Sequence, residues 1–600
     1  MNEKSEITTK VPDPVQLSQS ISSIAERSQK LIAGYLEKQA ASNGQAGSTD
    51  PLNIGHAFLE MTAKMMGDPT QLMQSQLALW QDYMQLWQNA GKRFLGEEEV
   101  PPMAAPDTGD RRFKDPAWEE SYVFDFIKQS YLLTARWMQS TVNQVEGLDA
   151  KTAQKVDFYT RQFVDAMAPS NFVMTNPEVL RATVESGAEN LVKGLENLLS
   201  DLERGQGKLA IKMTDMDAFK VGENIATAPG KVVFQNELMQ LLQFSPTTEQ
   251  VYRRPLLIVP PWINKYYILD LREKNSFIRW AVAQGLTVFV ISWVNPDESL
   301  AQKSFEDYML AGPLAALDAI KQATGEKEAN VIGYCIGGTL MAATLAYMTA
   351  KKDDRIKSIT YFTTMVDFEE AGELSVFIDE EQLQALESKM DEKGYLDGSA
   401  MATTFNMLRA NDLIWSFVVN NYLLGKEPFP FDLLYWNADS TRMPAQMHSF
   451  YLRKCYQENK LVEPGGITLD GVKIDLRTVK TPTYILSAKD DHIAPWKSTY
   501  AATQLYTGPV KFVLSGSGHI AGVVNPPAAQ KYCYWTNSRK PKSPDKWLEG
   551  ATQHPGSWWT DWAEWVGKQG GGKVAARVPG DGKLKVIEDA PGAYVKVTLK

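Results

Sequence analysis

The chain has 600 residues, of which 44% are hydrophobic and 10% aromatic, so it can bury a large core and exceeds the needs of one domain. A formal net charge of -10 and a pI of about 5.3, with no basic run, exclude a nucleic-acid-binding class. Three cysteines (Cys335, Cys455, Cys533) make no disulfide framework and suit a reducing compartment.

The opening MNEKSEITTK is polar and reads as no secretory signal, and no stretch nears the roughly 18 apolar residues of a membrane span. A cytoplasmic, multidomain protein is the expectation. Residues 1–15 are polar and expected to be loosely held, and 41–52 (ASNGQAGSTDPL) read as a linker. The Pro- and Gly-rich stretch 96–116 is another break. Met73, Leu77, Trp80, Met84 and Trp87 are spaced 4, 3, 4, 3 and lay one stripe along a helix. The ordinary expectation is that this stripe packs on neighbouring helices. The alternative is a surface for a partner protein or a hydrophobic particle. Residues 118–144 and 187–204 read as further helices, so 1–220 form a mostly helical N-terminal domain.

From about 230 the pattern alternates. RPLLIVPPW (254–262), LTVFVISW (286–293), NVIGY (330–334) and IKSITYFTTMVDF (356–368) read as strands. Helical runs at 271–284, 305–325 and after Gly338 separate them. Such βαβ alternation implies a parallel sheet covered on both faces. It stops over 369–479, a largely helical and aromatic stretch expected to be an inserted cap, and resumes at TPTYILSAKDDHIAPW (481–496) and VKFVLSGSGHIAG (510–522). The expected organisation is an α/β-hydrolase core (221–368 and 480–567), a cap (369–479) and a flexible Gly-rich tail (568–600).

The stretch VIGYCIGGTL places Cys335 between a strand and a helix, bracketed by Gly333, Gly337 and Gly338, which is the outline of a nucleophile elbow. A thiol there would sit at a helix N-terminus, where the dipole favours thiolate. The fold orders its triad as nucleophile, acid, histidine, which His519 in SGSGHIAG satisfies as base. His492, in DDHIAP, is its rival; His56, His448 and His554 read as structural. The acid is Asp490 or Asp491, between which residue chemistry does not choose. The N–H groups of Ile336 and, on the loop after the first strand, Ile263 are the expected oxyanion donors. Cys455 and Cys533 read as packing residues, and no metal-ligand spacing is present.

The strings VPPWINKYYILDL, SWVNPD, GYCIGGTL, YFTTMVDF, PFDLLYWNADSTRMP, KDDHIAPW, SGSGHIAGVVNPP and APGAYVKV together resemble class I polyhydroxyalkanoate synthases. The resemblance runs from DRRFKDPAW (110–118) to the end and is dense from about 250. It implies an α/β-hydrolase fold with a mobile cap. It assigns Cys335 as acyl-carrying nucleophile, His519 as base and Asp491 as the acid, and it matches Trp415 to a tryptophan of the dimer or cap region. It implies an acyltransferase that polymerises short-chain (R)-3-hydroxyacyl-CoA with release of CoA. No cofactor is expected, since coenzyme A belongs to the substrate. The expected partners are the growing polyester, a second copy of the chain and granule-associated proteins met through the N-terminal domain, at the surface of cytoplasmic storage granules. The competing readings are a Cys-elbow thioesterase or dienelactone-type hydrolase, and a non-catalytic granule-binding protein.

Overall fold

The computed structural model describes residues 19–20, 22–31, 54–67, 69–95 and 100–598. The segments expected to be loose, 1–15 and 41–52, lie outside these, as do 96–99. The chain divides into two units: the residues up to Asp215 with Phe405–Phe429, and Met216–Thr404 with Pro430–Lys600.

The first unit is built of helices α1 (Ile54–Gly67), α2 (Pro69–Phe94), α3 (Tyr122–Asn143), α4 (Ala150–Ala166), α5 (Pro177–Ser186) and α6 (Glu189–Arg204). Local chemistry sets their starts. The Asp149 carboxylate accepts the Lys151 and Thr152 N–H groups before α4, and Asn176 does the same for Glu178 and Val179 before α5. Helix α2 forms as its periodicity predicts, but its Met/Trp stripe stays largely exposed, with Trp87 meeting Phe126 at 4.7 Å between ring centroids. Met73, Leu77, Trp80, Met84 and Trp87 are exposed, between 42% and 67%. The inward face is instead Leu72, Ser75, Leu79, Tyr83 and Leu86. It seals on α3 through Ser75 Oγ to Thr141 Oγ1 (2.7 Å), Tyr83 OH to Thr134 Oγ1 (2.7 Å) and Trp137 Nε1 donating to the Ser75 carbonyl (3.1 Å). A seam half made of hydroxyls has little hydrophobic signal in sequence, which is why the neighbouring stripe was the expected face.

The middle of the region expected as one cap also belongs to this unit. Residues 405–429 carry two irregular helical turns, Asn411–Trp415 and Val418–Leu423. Side-chain amides fix them: Asn190 donates to the Leu423 carbonyl (2.7 Å) and Asn197 to that of Asn421 (3.0 Å). The Tyr422 hydroxyl donates to Asp201 (2.6 Å).

The second unit is a mixed sheet of eleven strands. They are β1 (Gly230–Gln235), β2 (Met239–Phe244), β3 (Leu256–Val259), β4 (Val288–Trp293), β5 (Ala329–Tyr334), β6 (Ile356–Phe362), β7 (Thr483–Ala488), β8 (Val510–Ser515), β9 (Cys533–Thr536), β10 (Thr552–Pro555) and β11 (Glu588–Asp589). Their spatial order is β10-β9-β8-β7-β6-β5-β3-β4-β2-β1-β11. Strands β3 to β8 pair in parallel, and the flanking strands pair antiparallel. Every residue of β2, β3, β4, β5 and β7 is buried, and the central parallel strands β3 and β4 read as nearly continuous apolar runs rather than alternating ones. Each expected strand is present, and the α/β-hydrolase fold expectation holds. The helix expected over 305–325 is broken at Gly312–Pro313, where the proline has no N–H to give.

The tail expected to be flexible is ordered. Lys573–Ala575 pair with Gln250–Tyr252, Arg577 pairs with Glu326 (2.9 Å), and β11 extends the sheet at β1. Before it, helix α7 (Trp559–Lys568) packs Trp559 and Trp562, with Trp558 ahead of it, against Phe277.

Candidate active site

The strand β5 ends at Tyr334, and the next residue turns the chain into the helix Ile336–Ala350. That residue, Cys335, has φ 52° and ψ −125°, a region that side chains rarely occupy and that costs about 1–3 kcal/mol. Neighbouring bonds hold it there. The Cys335 N–H donates to the Phe362 carbonyl on β6 (2.9 Å), and its own carbonyl accepts from Gly338 and Thr339 N–H (2.9 and 3.1 Å). The flanking glycines are needed for approach. A Cβ on Gly337 would stand 2.3 Å from the Val259 carbonyl oxygen, and one on Gly338 would stand 2.0 Å from Thr364 Oγ1. The elbow is therefore wedged between the loop after β3 and the end of β6. Cys335 is partly exposed, and the first N–H groups of its helix have no intrahelical acceptor.

The loops after β7 and β8 supply the other two groups. They are tied by Lys489 N–H to the Ser515 carbonyl (2.9 Å) and Asp490 N–H to that of Ser517 (3.0 Å). The bond at Asp490 uses its backbone, and its side chain faces solvent. Asp491 is turned inward. Its Oδ1 accepts the N–H groups of Ile493 and Ala494 (both 2.9 Å), and its Oδ2 lies 2.7 Å from His519 Nδ1. The Asp491 side chain is fully buried and that of His519 is 7% exposed. The choice that residue chemistry left open falls on Asp491 for location, as the resemblance implied, and His519 rather than His492 meets the carboxylate.

Cys335 lies near enough to the His519 ring to act on it electrostatically. Burial alone would pull the imidazole below its ordinary value. The Asp491 carboxylate and the Cys335 sulfur outweigh burial and push it up, to about 10. The site therefore favours the protonated imidazole.

Several residues of the site were not legible in the sequence. Tyr451 and Tyr456, from the stretch YLRKCYQ, meet edge-on at 5.5 Å between ring centroids. Both pack on Phe368 (6.0 and 4.8 Å). Burial, with Cys335 among the nearby charges, holds both phenols above their ordinary value, so they stay neutral donors. Behind His519, the indole N–H groups of Trp558 and Trp559 donate to the Gly522 and Val523 carbonyls (2.8 and 2.9 Å). Trp562 donates to Thr360 Oγ1 on β6 (2.9 Å). The run GSWWTDWAEW signals a buried helix, but not that its indoles brace the histidine loop.

Residues 109–281 match the family described as poly-beta-hydroxybutyrate polymerase (PhaC) N-terminus, and 255–526 match the alpha/beta hydrolase fold. The poly(3-hydroxyalkanoate) polymerase subunit PhaC of Rhizobium meliloti (strain 1021) is 48% identical over 98% of this chain and 96% of its own length. The chain belongs to the poly(3-hydroxyalkanoate) polymerase family. The poly(3-hydroxyalkanoate) polymerase of Methylorubrum extorquens is 52% identical over 92% of this chain and 91% of the relative. The PhaC subunit of Cupriavidus necator is 43% identical over 94% and 95%.

In this polymerase the other cysteines and histidines have separate partners or surroundings. Burial pushes the Cys455 thiol up, which leaves it unreactive, and Cys533 stands half-buried on β9. His448 is buried and held down to about 4 by burial, and His554 Nε2 bonds Thr536 Oγ1 (2.8 Å) at the sheet edge. His56 lies on α1. Trp415 is half-buried in the first unit, on the turn Asn411–Trp415. Ile336 and Ile263 are both buried, and Gly337 pressed on the Val259 and Pro260 carbonyls brings their two segments together. Among the described residues no helix is long and apolar enough to cross a membrane.

Proposed function

We propose that this polymerase joins (R)-3-hydroxyacyl-CoA thioesters, short ones such as 3-hydroxybutyryl-CoA, into polyhydroxyalkanoate through an acyl thioester on Cys335. The observation that carries the reading is the 2.7 Å Asp491–His519 bond together with a thiol on a strained elbow that acts electrostatically on the same imidazole. His519 takes the Cys335 proton, and Asp491 holds the imidazolium. The thiolate attacks the thioester carbonyl, and the developing oxyanion is met by the Ile336 and Ile263 N–H groups. The bond to coenzyme A sulfur breaks, His519 returns the proton to that sulfur, and CoA leaves. The 3-hydroxyl of another unit then gives its proton to His519 and attacks the Cys335 thioester. An ester forms and the thiolate is regenerated.

A thiol suits transfer better than a hydroxyl. Its thioester exchanges with acyl-CoA at little cost and stays activated toward an alcohol, and the thiolate leaves readily. The aromatic wall of Tyr451, Tyr456 and Phe368 is suited to keeping water from that thioester. The same reading takes the working form as a homodimer, with Trp415 in its dimer or cap region, at the surface of cytoplasmic polyester granules, with granule-associated proteins met through the N-terminal helices. Purified protein given 3-hydroxybutyryl-CoA should release CoA and deposit insoluble polyester, and Cys335→Ser should deposit none. Release of CoA with only soluble 3-hydroxybutyrate would make it a thioesterase instead.

A further inference from the structure

The loop that carries Ile263 is bound along its length to one short segment, 436–441, by polar groups that are nearly all buried. The Thr441 hydroxyl donates to the Trp262 carbonyl and lies 2.8 Å from that of Ile263, and Thr441 N–H also reaches the Ile263 carbonyl (3.3 Å). Asn264 and Ser440 form an antiparallel bridge. Trp436 Nε1 donates to the Lys265 carbonyl (2.7 Å). The Asp439 carboxylate takes Lys265 Nζ on one oxygen (2.6 Å) and the Tyr267 hydroxyl on the other (2.8 Å). Lys265 and Asp439 side chains are 3% and 4% exposed, so their charges are left to each other.

This pattern fixes a direction. The Trp262–Ile263 peptide is trans, so its carbonyl and its N–H point opposite ways. Thr441 holds the carbonyl, and the N–H of Ile263 must then point away from segment 436–441. The loop's contact with the elbow is on the Cys335 helix, where Gly337 meets the Val259 and Pro260 carbonyls. We propose that Thr441, strutted by the Lys265–Asp439–Tyr267 cluster, is a positioning residue that aims the Ile263 N–H at the oxyanion. The proposal rests on the acyl-transfer reading above and adds the group that sets its second donor.

The test separates oxyanion chemistry from thiolate chemistry. Alkylation of Cys335 by iodoacetamide needs the thiolate but builds no oxyanion, whereas CoA release from 3-hydroxybutyryl-CoA needs both. Thr441→Val should lower kcat about tenfold to a hundredfold with KM within about twofold, the range that a displaced oxyanion donor produces. Its alkylation rate should match wild type, and Thr441→Ser should restore kcat to within about threefold. Tyr267→Phe removes only one strut and should lower kcat about threefold to tenfold, again with unchanged alkylation; it stands in if Thr441→Val does not melt as a folded protein. Wild-type kcat in the folded variant tested overturns the proposal. So does an alkylation rate that falls with kcat, or a serine variant as impaired as the valine one. If alkylating wild-type Cys335 leaves CoA release intact, the acyl-transfer reading itself fails, whatever the Thr441 variants do.

Discussion

Asp491→Asn separates the two chemical steps because they ask different amounts of the base. The asparagine carbonyl can keep the Ile493 and Ala494 N–H bonds that Asp491 Oδ1 now accepts at 2.9 Å, so the loop should hold its shape. Its amide, however, would face His519 Nδ1 where a carboxylate oxygen now lies at 2.7 Å. Two donors cannot share that contact, so His519 must turn to the tautomer with Nδ1 bare and Nε2 protonated, which is no base toward Cys335. The carboxylate that raises the imidazole to about 10 is also lost. Loss of tautomer control in a triad is worth roughly 10⁴-fold, about 5.5 kcal/mol, where an alcohol must be deprotonated. A thiol with an ordinary value near 8.5 needs far less help, and its acylation should fall only about a hundredfold. Rapid-quench measurement of CoA release should show a slowed first turnover of one CoA per Cys335, then elongation slowed by about a hundredfold more. If both steps fall by one factor, or if neither falls tenfold, His519 does not serve both steps under Asp491 control.

Three further outcomes follow from individual contacts. Trp559→Phe strips the Val523 carbonyl of its indole donor at 2.9 Å inside a closed core, which should cost about 1–3 kcal/mol in urea unfolding and lower kcat by loosening the His519 loop; an unchanged melt with unchanged kcat would refute the bracing role. Cys455→Ala should cost about 1 kcal/mol and leave CoA release within about twofold, since its thiol is buried and unreactive; loss of acylation would make it a second nucleophile. His448, depressed from 6.5 to about 4 by burial, takes up a proton only on unfolding. Stability should therefore be unaffected by this group above about pH 6.5 and fall by about 3 kcal/mol as pH drops toward 4. His448→Gln should show a correspondingly shallower acid loss in urea midpoints, and an unchanged slope would place the titration elsewhere.

The sheet and the elbow were legible because they rest on one local pattern each. Strands β3 to β8 are short, mostly apolar runs, and the Gly-Tyr-Cys-Ile-Gly string, weak alone, gains its meaning from the strand before it and the helix after it. The pairing of Asp491 with His519 joins residues 28 apart, and only the fold order hinted at it. Other features were invisible for a shared reason: their partners are polar or distant. The α2 seam mixes Leu72, Leu79 and Leu86 with the Ser75 and Tyr83 hydroxyls, a weaker apolar signal than the neighbouring Met73–Trp87 stripe. The Trp558 and Trp559 indoles act on backbone carbonyls 36 residues away, which no side-chain pattern records. The 405–429 segment reads as part of an insert, yet amides from α6 claim its carbonyls.

The inserted region is thus not one device. Its middle folds with the helical unit, while 430–479 belongs with the sheet. Within that second part, Asp439 and Thr441 grip the loop of Ile263, and some ten residues later Tyr451 and Tyr456 pack on Phe368 and feel the Cys335 sulfur electrostatically. One continuous stretch therefore carries both the residues that hold the Ile263 loop and the Tyr451–Tyr456 pair. Parting Lys265 from Asp439 would leave two charges buried and unpaired, a loss of about 3–5 kcal/mol for a pair so enclosed. The strongest polar ties of the insert to the sheet unit therefore fall on 436–441, which joins the loop of Ile263 rather than standing free of it.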